Sequence, residues 1–156
     1  MEVQLVSVGD RMPSWVQAGY ADYAKRLPRE FRLTLRELSP AKRGKTGHAA
    51  QWREQEGERM LAALAPADHV VALDLGGRMW STEQLAGAIQ RWLAAGDRVS
   101  LLCGGPDGLS APCLARAREA WCLSPLTFPH PLVRVIVAEQ LYRAWSLLQN
   151  HPYHRA

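Results

Sequence analysis

Long apolar runs are missing from this chain of 156 residues: no stretch approaches the roughly 20 residues that cross a bilayer. The sequence opens at once on the strand-like MEVQLVSVG, without a basic segment followed by an apolar one, so a cytoplasmic location and no membrane partner are expected. Cysteine is scarce. Cys103, Cys113 and Cys122 are odd in number and form no CxxC pair, which favours buried free thiols over disulfides or a zinc centre. Neither GxGxxG nor GxxxxGK(S/T) occurs, which removes the dinucleotide fingerprint and the phosphate loop. His130, His151 and His154 have no helical HxxxH pairing and no acidic companion at fixed spacing, so no metal is expected. Ser110 and Ser124 lie outside any nucleophile-elbow context, which leaves acyl transfer unsupported.

What is present is the balance of a soluble globular protein, with 47% hydrophobic and 22% charged residues. The length suits one domain over 1–156 and one core. The formal charge is only +4. Basic residues nevertheless cluster at Lys42, Arg43 and Lys45, inside SPAKRGKTGHA, a stretch with a proline and two glycines that reads as a mobile loop able to reach a phosphate backbone. A solvated face is the plainer reading of so modest an excess.

Along the chain, residues 2–9 read as a first strand ending at Gly9. Pro13 suits the start of a helix whose Trp15, Val16, Gly19, Tyr20, Tyr23 and Leu27 are spaced for one buried stripe. FRLTLREL, 31–38, has a period of two and reads as a strand with one solvated face. A helix is expected over roughly 50–64, then an apolar strand at 69–75 followed by Gly76-Gly77. Ser81 and Gln84 have the form of a capping box, opening a helix that Gly96 stops. RVSLLCGG repeats the strand-to-glycine pattern, a helix is expected from about 111 to 120, and WCLSPLTF supplies a last strand before a C-terminal helix launched by Pro131. This alternation of strand and helix implies an α/β fold, a mostly parallel sheet with helices on both faces.

In such sheets ligands bind at the carboxyl ends of the strands. Three late segments deliver loops there: Leu73 to Gly77, Leu102 to Gly108, and Leu123 to Phe128. Paired glycines let a flat ligand approach the backbone, although tight turns alone would also explain them. His130, rigid between Pro129 and Pro131, is the best local candidate for a positioned imidazole, with a helix-capping role as the alternative. Glu139 and Arg143, four apart, form either an intrahelical ion pair or a contact to a second subunit.

Several long motifs then carry a resemblance. Gly104-Gly105-Pro106-Asp107-Gly108-Leu109-Ser110, the run from Leu126 through Arg134, Glu139 through Ser146, and the terminal Asn150-His151-Pro152-Tyr153-His154-Arg155 resemble the signatures of the ribosomal RNA large subunit methyltransferase H family. The likeness extends over the whole chain, including Met12 to Gln17. These are SPOUT-class enzymes that use S-adenosyl-L-methionine to methylate N3 of a pseudouridine in large-subunit ribosomal RNA. The resemblance implies a C-terminal deep trefoil knot and a homodimer. Carried over by position, it implies cofactor contacts at Leu73, Gly104 and Leu123, Ser124, Pro125, Leu126, Thr127 and Phe128.

N3–H of a pseudouridine is a weak acid, so removing or polarising that proton assists attack on an electrophilic methyl. His130 or His154 is the expected assistant, with Arg134, Tyr153 and Arg155 orienting the nucleotide. Lys42, Arg43 and Lys45 are expected against phosphate on the assembled ribosome, with no role for DNA. Two competing readings are a ribosome-binding assembly factor without turnover and a SPOUT enzyme acting on transfer RNA.

Overall fold

The computed structural model describes residues 1–154; the side chain of His154, and Arg155 and Ala156, lie outside the described residues. Strands β1 (Glu2–Val8), β2 (Arg32–Leu38), β3 (His69–Met79), β4 (Val99–Cys103) and β5 (Glu119–Cys122) alternate with helices α1 (Ser14–Ala24), α2 (Ala49–Ala62), α3 (Thr82–Ala95), α4 (Ala111–Arg116) and α5 (His130–Leu148). A short 3-10 turn, Pro152–His154, follows. The strands form one sheet in the order β2-β1-β4-β3-β5, and every pairing is parallel.

The order explains the layers. Crossovers from β1 to β2 and from β3 to β4 run toward one edge, and those from β2 to β3 and from β4 to β5 run toward the other. Right-handed connections therefore put α1 and α3 on one face and α2 and α4 on the opposite face. The two apolar clusters follow this division. Leu85, Ile89 and Trp92 of α3 join Val137, Leu141 and Ala144 of α5 on the first face, whereas Met60 of α2 and Cys113 of α4 close the second.

Local sequence signals account for several boundaries. Gln84 N–H donates to Ser81 Oγ and Ser81 N–H donates to Gln84 Oε1, completing the capping box, and Gly96 takes a left-handed φ of 79° at the far end of α3. Three boundaries differ from the sequence expectation. β3 does not stop before Gly76-Gly77 but runs on to Met79, with a register shift that sets both Leu73 and Arg78 opposite Trp121. Gly77 makes this possible, because a Cβ there would lie 2.5 Å from the backbone of Ala120. α4 ends at Arg116, since Glu119 is drawn into β5, where its carboxylate accepts from His69, Trp92 and Arg91. The last strand ends at Cys122, because Pro125 and Pro129 offer no ladder N–H and Leu126 N–H is already given to Ser124 Oγ. Trp15, expected on the buried stripe of α1, is 59% exposed; Val16 is the buried residue of that helix. No helix among the described residues is long and apolar enough to cross a membrane.

Candidate active site

β1 and β4 are neighbours whose connections leave in opposite directions, and in an open parallel sheet the crevice lies at that point, outside the carboxyl ends of the strands. A cleft of about 610 Å³ opens beside it. Its walls include Leu73, Gly104 and Leu123, Ser124, Leu126, Thr127 and Phe128, so strand β3, the loop after β4 and the loop after β5 meet there; Pro125 is not part of the lining. Leu75, Cys103, Trp121 and Val133 add apolar surface. A mostly apolar cleft of this size, with few polar groups, suits a nucleoside-sized ligand.

The glycine loop is folded back on itself. Gly105 and Gly108 form an antiparallel bridge, Gly108 N–H donates to Gly105 O at 3.0 Å, and Gly108 has a φ of 80°. A Cβ on Gly104 would sit 2.7 Å from the backbone carbon and oxygen of Gly108, so the fold of the loop requires glycine there.

Arg43 holds this loop from outside. Its guanidinium donates to Glu56 Oε2 at 2.9 Å and to Asp107 Oδ2 at 2.8 Å, while Ala41 N–H also donates to Glu56 Oε2. Glu56 is only 2% exposed, and its two charged and polar partners compensate that burial. The basic segment is thus pinned at Ala41 and Arg43 and does not hang free, and Arg43 spends its charge on two carboxylates. Lys42 and Lys45 remain exposed beside it. Glu56 was invisible to sequence reading, because Glu54 and Glu58 in the same charged run are exposed and periodicity does not single out the one that is buried.

His130 is the first residue of α5 and lines the cleft. Burial, with the positive charge of Arg134 second, holds its imidazole below the ordinary range. Arg134, one turn on, is 1% exposed and does not present its guanidinium to a ligand. Its two terminal nitrogens donate to Glu37 Oε2 at 2.7 Å and to Gly9 O at 2.6 Å, and its Nε has no partner. Arg134 therefore reaches the site through Gly9. Neither Gly9 nor Glu37 stood out as a site residue in the sequence; only the end of a strand at Gly9 was readable.

Tyr153 is not brought to the cleft of its own chain. Its ring packs 4.6 Å from that of Tyr142, Arg143 lies 5.0 Å over it, and its hydroxyl donates to Glu139 Oε1 at 3.4 Å. Burial and the Glu139 carboxylate push the Tyr153 phenol up to about 12. Glu139 also accepts from Arg143 Nε at 2.6 Å, the pair expected at that spacing. The expectations for the His154 side chain and Arg155 lie outside the described residues. Among the described residues no three His, Cys, Asp or Glu side chains gather as a metal site would require.

A family model described as "Predicted SPOUT methyltransferase" matches residues 1–154. The chain is 59% identical over 155 residues to the ribosomal RNA large subunit methyltransferase H of Methylococcus capsulatus, covering 99% of this chain and 100% of that protein. This chain belongs to the ribosomal RNA large subunit methyltransferase H family. The proteins of that name from Hahella chejuensis and Nitrosococcus oceani are each 54% identical to it, over 99% and 100% of this chain and 99% of each relative. As a member of this SPOUT methyltransferase family, the chain carries its glycine loop and His130 on the two sides of one crevice.

Proposed function

We propose that the chain uses S-adenosyl-L-methionine to methylate N3 of a pseudouridine in large-subunit ribosomal RNA, on the assembled ribosome, as a cytoplasmic homodimer. The observation that carries this reading is the convergence of Leu73, Gly104 and the 123–128 segment on one cleft bounded by His130. The donor set fits the cofactor: apolar walls for an adenine ring, and a glycine loop whose backbone is bare at Gly104, Gly105 and Gly108. Membership also implies a trefoil knot. The path of the chain supports it, since 123–129 leads from edge strand β5 back to α5, which packs between α1 and α3.

When bound, S-adenosylmethionine supplies an electrophilic methyl carried on sulfur. Leu73, Gly104, Leu123, Ser124, Leu126, Thr127 and Phe128 would hold and orient it while the apolar walls exclude water. His130 in its neutral form would accept the N3 proton, leaving the nitrogen electron pair free and turned toward the methyl that a bound cofactor would supply. Arg134 is a positioning residue that fixes the Gly9 carbonyl beneath the imidazole. Lys42 and Lys45 meet phosphate. Tyr153, His154 and Arg155 orient the nucleotide from the second subunit, which is consistent with Tyr153 lying away from the cleft of its own chain.

Calorimetric binding of S-adenosylmethionine, followed by mass mapping of the methylated nucleotide, tests the reading. No binding leaves an assembly factor, and a methylated transfer RNA leaves a different SPOUT activity. If naked ribosomal RNA is methylated as well as intact ribosomes, recognition of the assembled particle is wrong.

The depressed pKa of His130 gives a pH prediction. A group with lowered pKa stays neutral as pH falls past the ordinary imidazole value of about 6.5, so the acid limb of the single-turnover rate lies below that pH. His130→Ala lowers that rate about 100-fold and removes the limb. A wild-type rate in both His130→Ala and His154→Ala would show that positioning alone suffices.

A further inference from the structure

A second hollow, of about 520 Å³, lies on the other side of His130 and shares Pro106 and His130 with the cofactor cleft. Val8, Gly9, Met12 and Pro40 supply the apolar part of its wall, and Asp10, Arg11 and Arg43 the charged part. The hollows between the 26–30 segment and α5, at 24–33, and at the His69–Glu119 end of the sheet share no lining residue with the cleft. None of the residues supplied by the β1–α1 connection figures among the cofactor or phosphate contacts assigned above.

From this juxtaposition we infer that the hollow is the seat of the methyl acceptor and takes one unstacked uracil-type base, held flat between Met12 and Pro40 with its N3 edge turned to His130. The inference rests on the methyltransferase reading above. Transfer requires donor and acceptor to lie in line at contact distance. A hollow that borders the cleft at Pro106 and His130 meets that requirement, since a base in one lies next to a methyl in the other with the imidazole beside both.

The floor is built for a flat, largely apolar face. Gly9 has a φ of 117°, and a Cβ there would lie 2.6 Å from Met12 Cε, 3.3 Å from Arg134 Nη2 and 3.4 Å from His130 Nε2. Met12, Arg134 and His130 thus close over Gly9, which leaves no room for a side chain there and sets the Met12 methyl and the imidazole side by side. Both polar groups of Gly9 are already engaged: its N–H donates to Leu38 O at 2.7 Å and its carbonyl accepts from Arg134. Met12 and Pro40 thus offer apolar surface and Gly9 no competing hydrogen bond, while the polar recognition of the base falls to His130 together with Asp10 and Arg11, which line the same hollow; Arg43, also in its wall, is engaged with Glu56 and Asp107. A single-stranded, unstacked base is the nucleic-acid element that such a surface accommodates. A uracil-type ring also carries its acidic N3–H between two carbonyls, an edge that a neutral imidazole can deprotonate.

The other occupant to consider is a distal part of the cofactor, and the test separates the two. Met12→Trp fills the hollow from its own wall. The expected result is S-adenosylmethionine affinity within 2-fold of wild type and a single-turnover methylation rate on ribosomes reduced at least 100-fold. Pro40→Trp, on a different segment, is expected to behave alike and serves if the first variant does not fold. Wild-type methylation in a folded variant would overturn the proposal, as would a tenfold loss of cofactor affinity, which would hand the hollow to the cofactor.

The second arm uses the wild-type protein with carbon-13 in its methionine methyl groups, titrated with uridine monophosphate in the absence of any methyl donor. Movement of the Met12 methyl resonance is expected; movement confined to other methionines, or none, overturns the proposal. Because this arm needs no cofactor, a Met12 shift in a protein that fails to bind S-adenosylmethionine would leave the base site standing and sink the methyltransferase reading alone.

Discussion

Gly104→Ala should weaken S-adenosylmethionine binding by at least 30-fold, about 2 kcal/mol, while leaving the fold intact. The added Cβ would be placed 2.7 Å from the Gly108 carbonyl carbon and oxygen, and backbone atoms cannot swing aside as the tip of a side chain can. The loop must therefore open. Opening it breaks the Gly105–Gly108 bridge and pulls Asp107 from Arg43, so the cleft loses one wall in its preorganised form. The sheet and both cores lie on other residues, which is why the thermal midpoint should move by only a few degrees. Calorimetry on the variant checks the affinity, and an unchanged dissociation constant would show that this loop is no part of the cofactor site.

Arg134→Met should separate activity from stability. A buried guanidinium with an unpartnered Nε is an expensive way to stabilise a helix, and replacing it by an apolar side chain of similar length removes that cost. Against this, the buried Gly9 carbonyl loses its donor, a penalty of about 1–3 kcal/mol; Glu37, 39% exposed on its side chain, can turn to water. The net loss in a denaturant titration should be about 1–2 kcal/mol. Single-turnover methylation should fall about 100-fold, equivalent to roughly 2.7 kcal/mol in the barrier, because Gly9 is then free to shift under His130. Equal rates with and without Arg134 would remove it from the positioning machinery.

The order of strands and helices was legible because hydrophobic periodicity and glycine punctuation report local structure directly. Ser81, Gln84 and Gly96 mark α3 in sequence and cap it in space. The run of β3 through Gly77 was not legible. It depends on the close approach of the Ala120 backbone, a contact between segments more than 40 residues apart that leaves no period. Trp15 shows the same limit at a surface, since helical spacing puts it with Val16 on an apolar stripe and only packing decides which of the two is covered.

The gathering of Leu73, Gly104 and 123–128 could be anticipated from strand ends and from family likeness together. Arg43 and Arg134 could not be sorted by charge. One is used up on Glu56 and Asp107 and the other lies beneath Gly9, and both facts depend on which carboxylate or carbonyl the fold sets beside them.

The Glu56–Arg43–Asp107 bridge makes a wall of the cleft and the anchor of Lys42 and Lys45 parts of one mechanical unit. Two ligands that each order the same unit are bound to each other by thermodynamic reciprocity. If Lys42 and Lys45 grip phosphate as proposed, whatever factor a filled cleft adds to that grip is returned in full to the grip on the filled cleft. The order in which the two arrive then leaves the final occupancy unchanged.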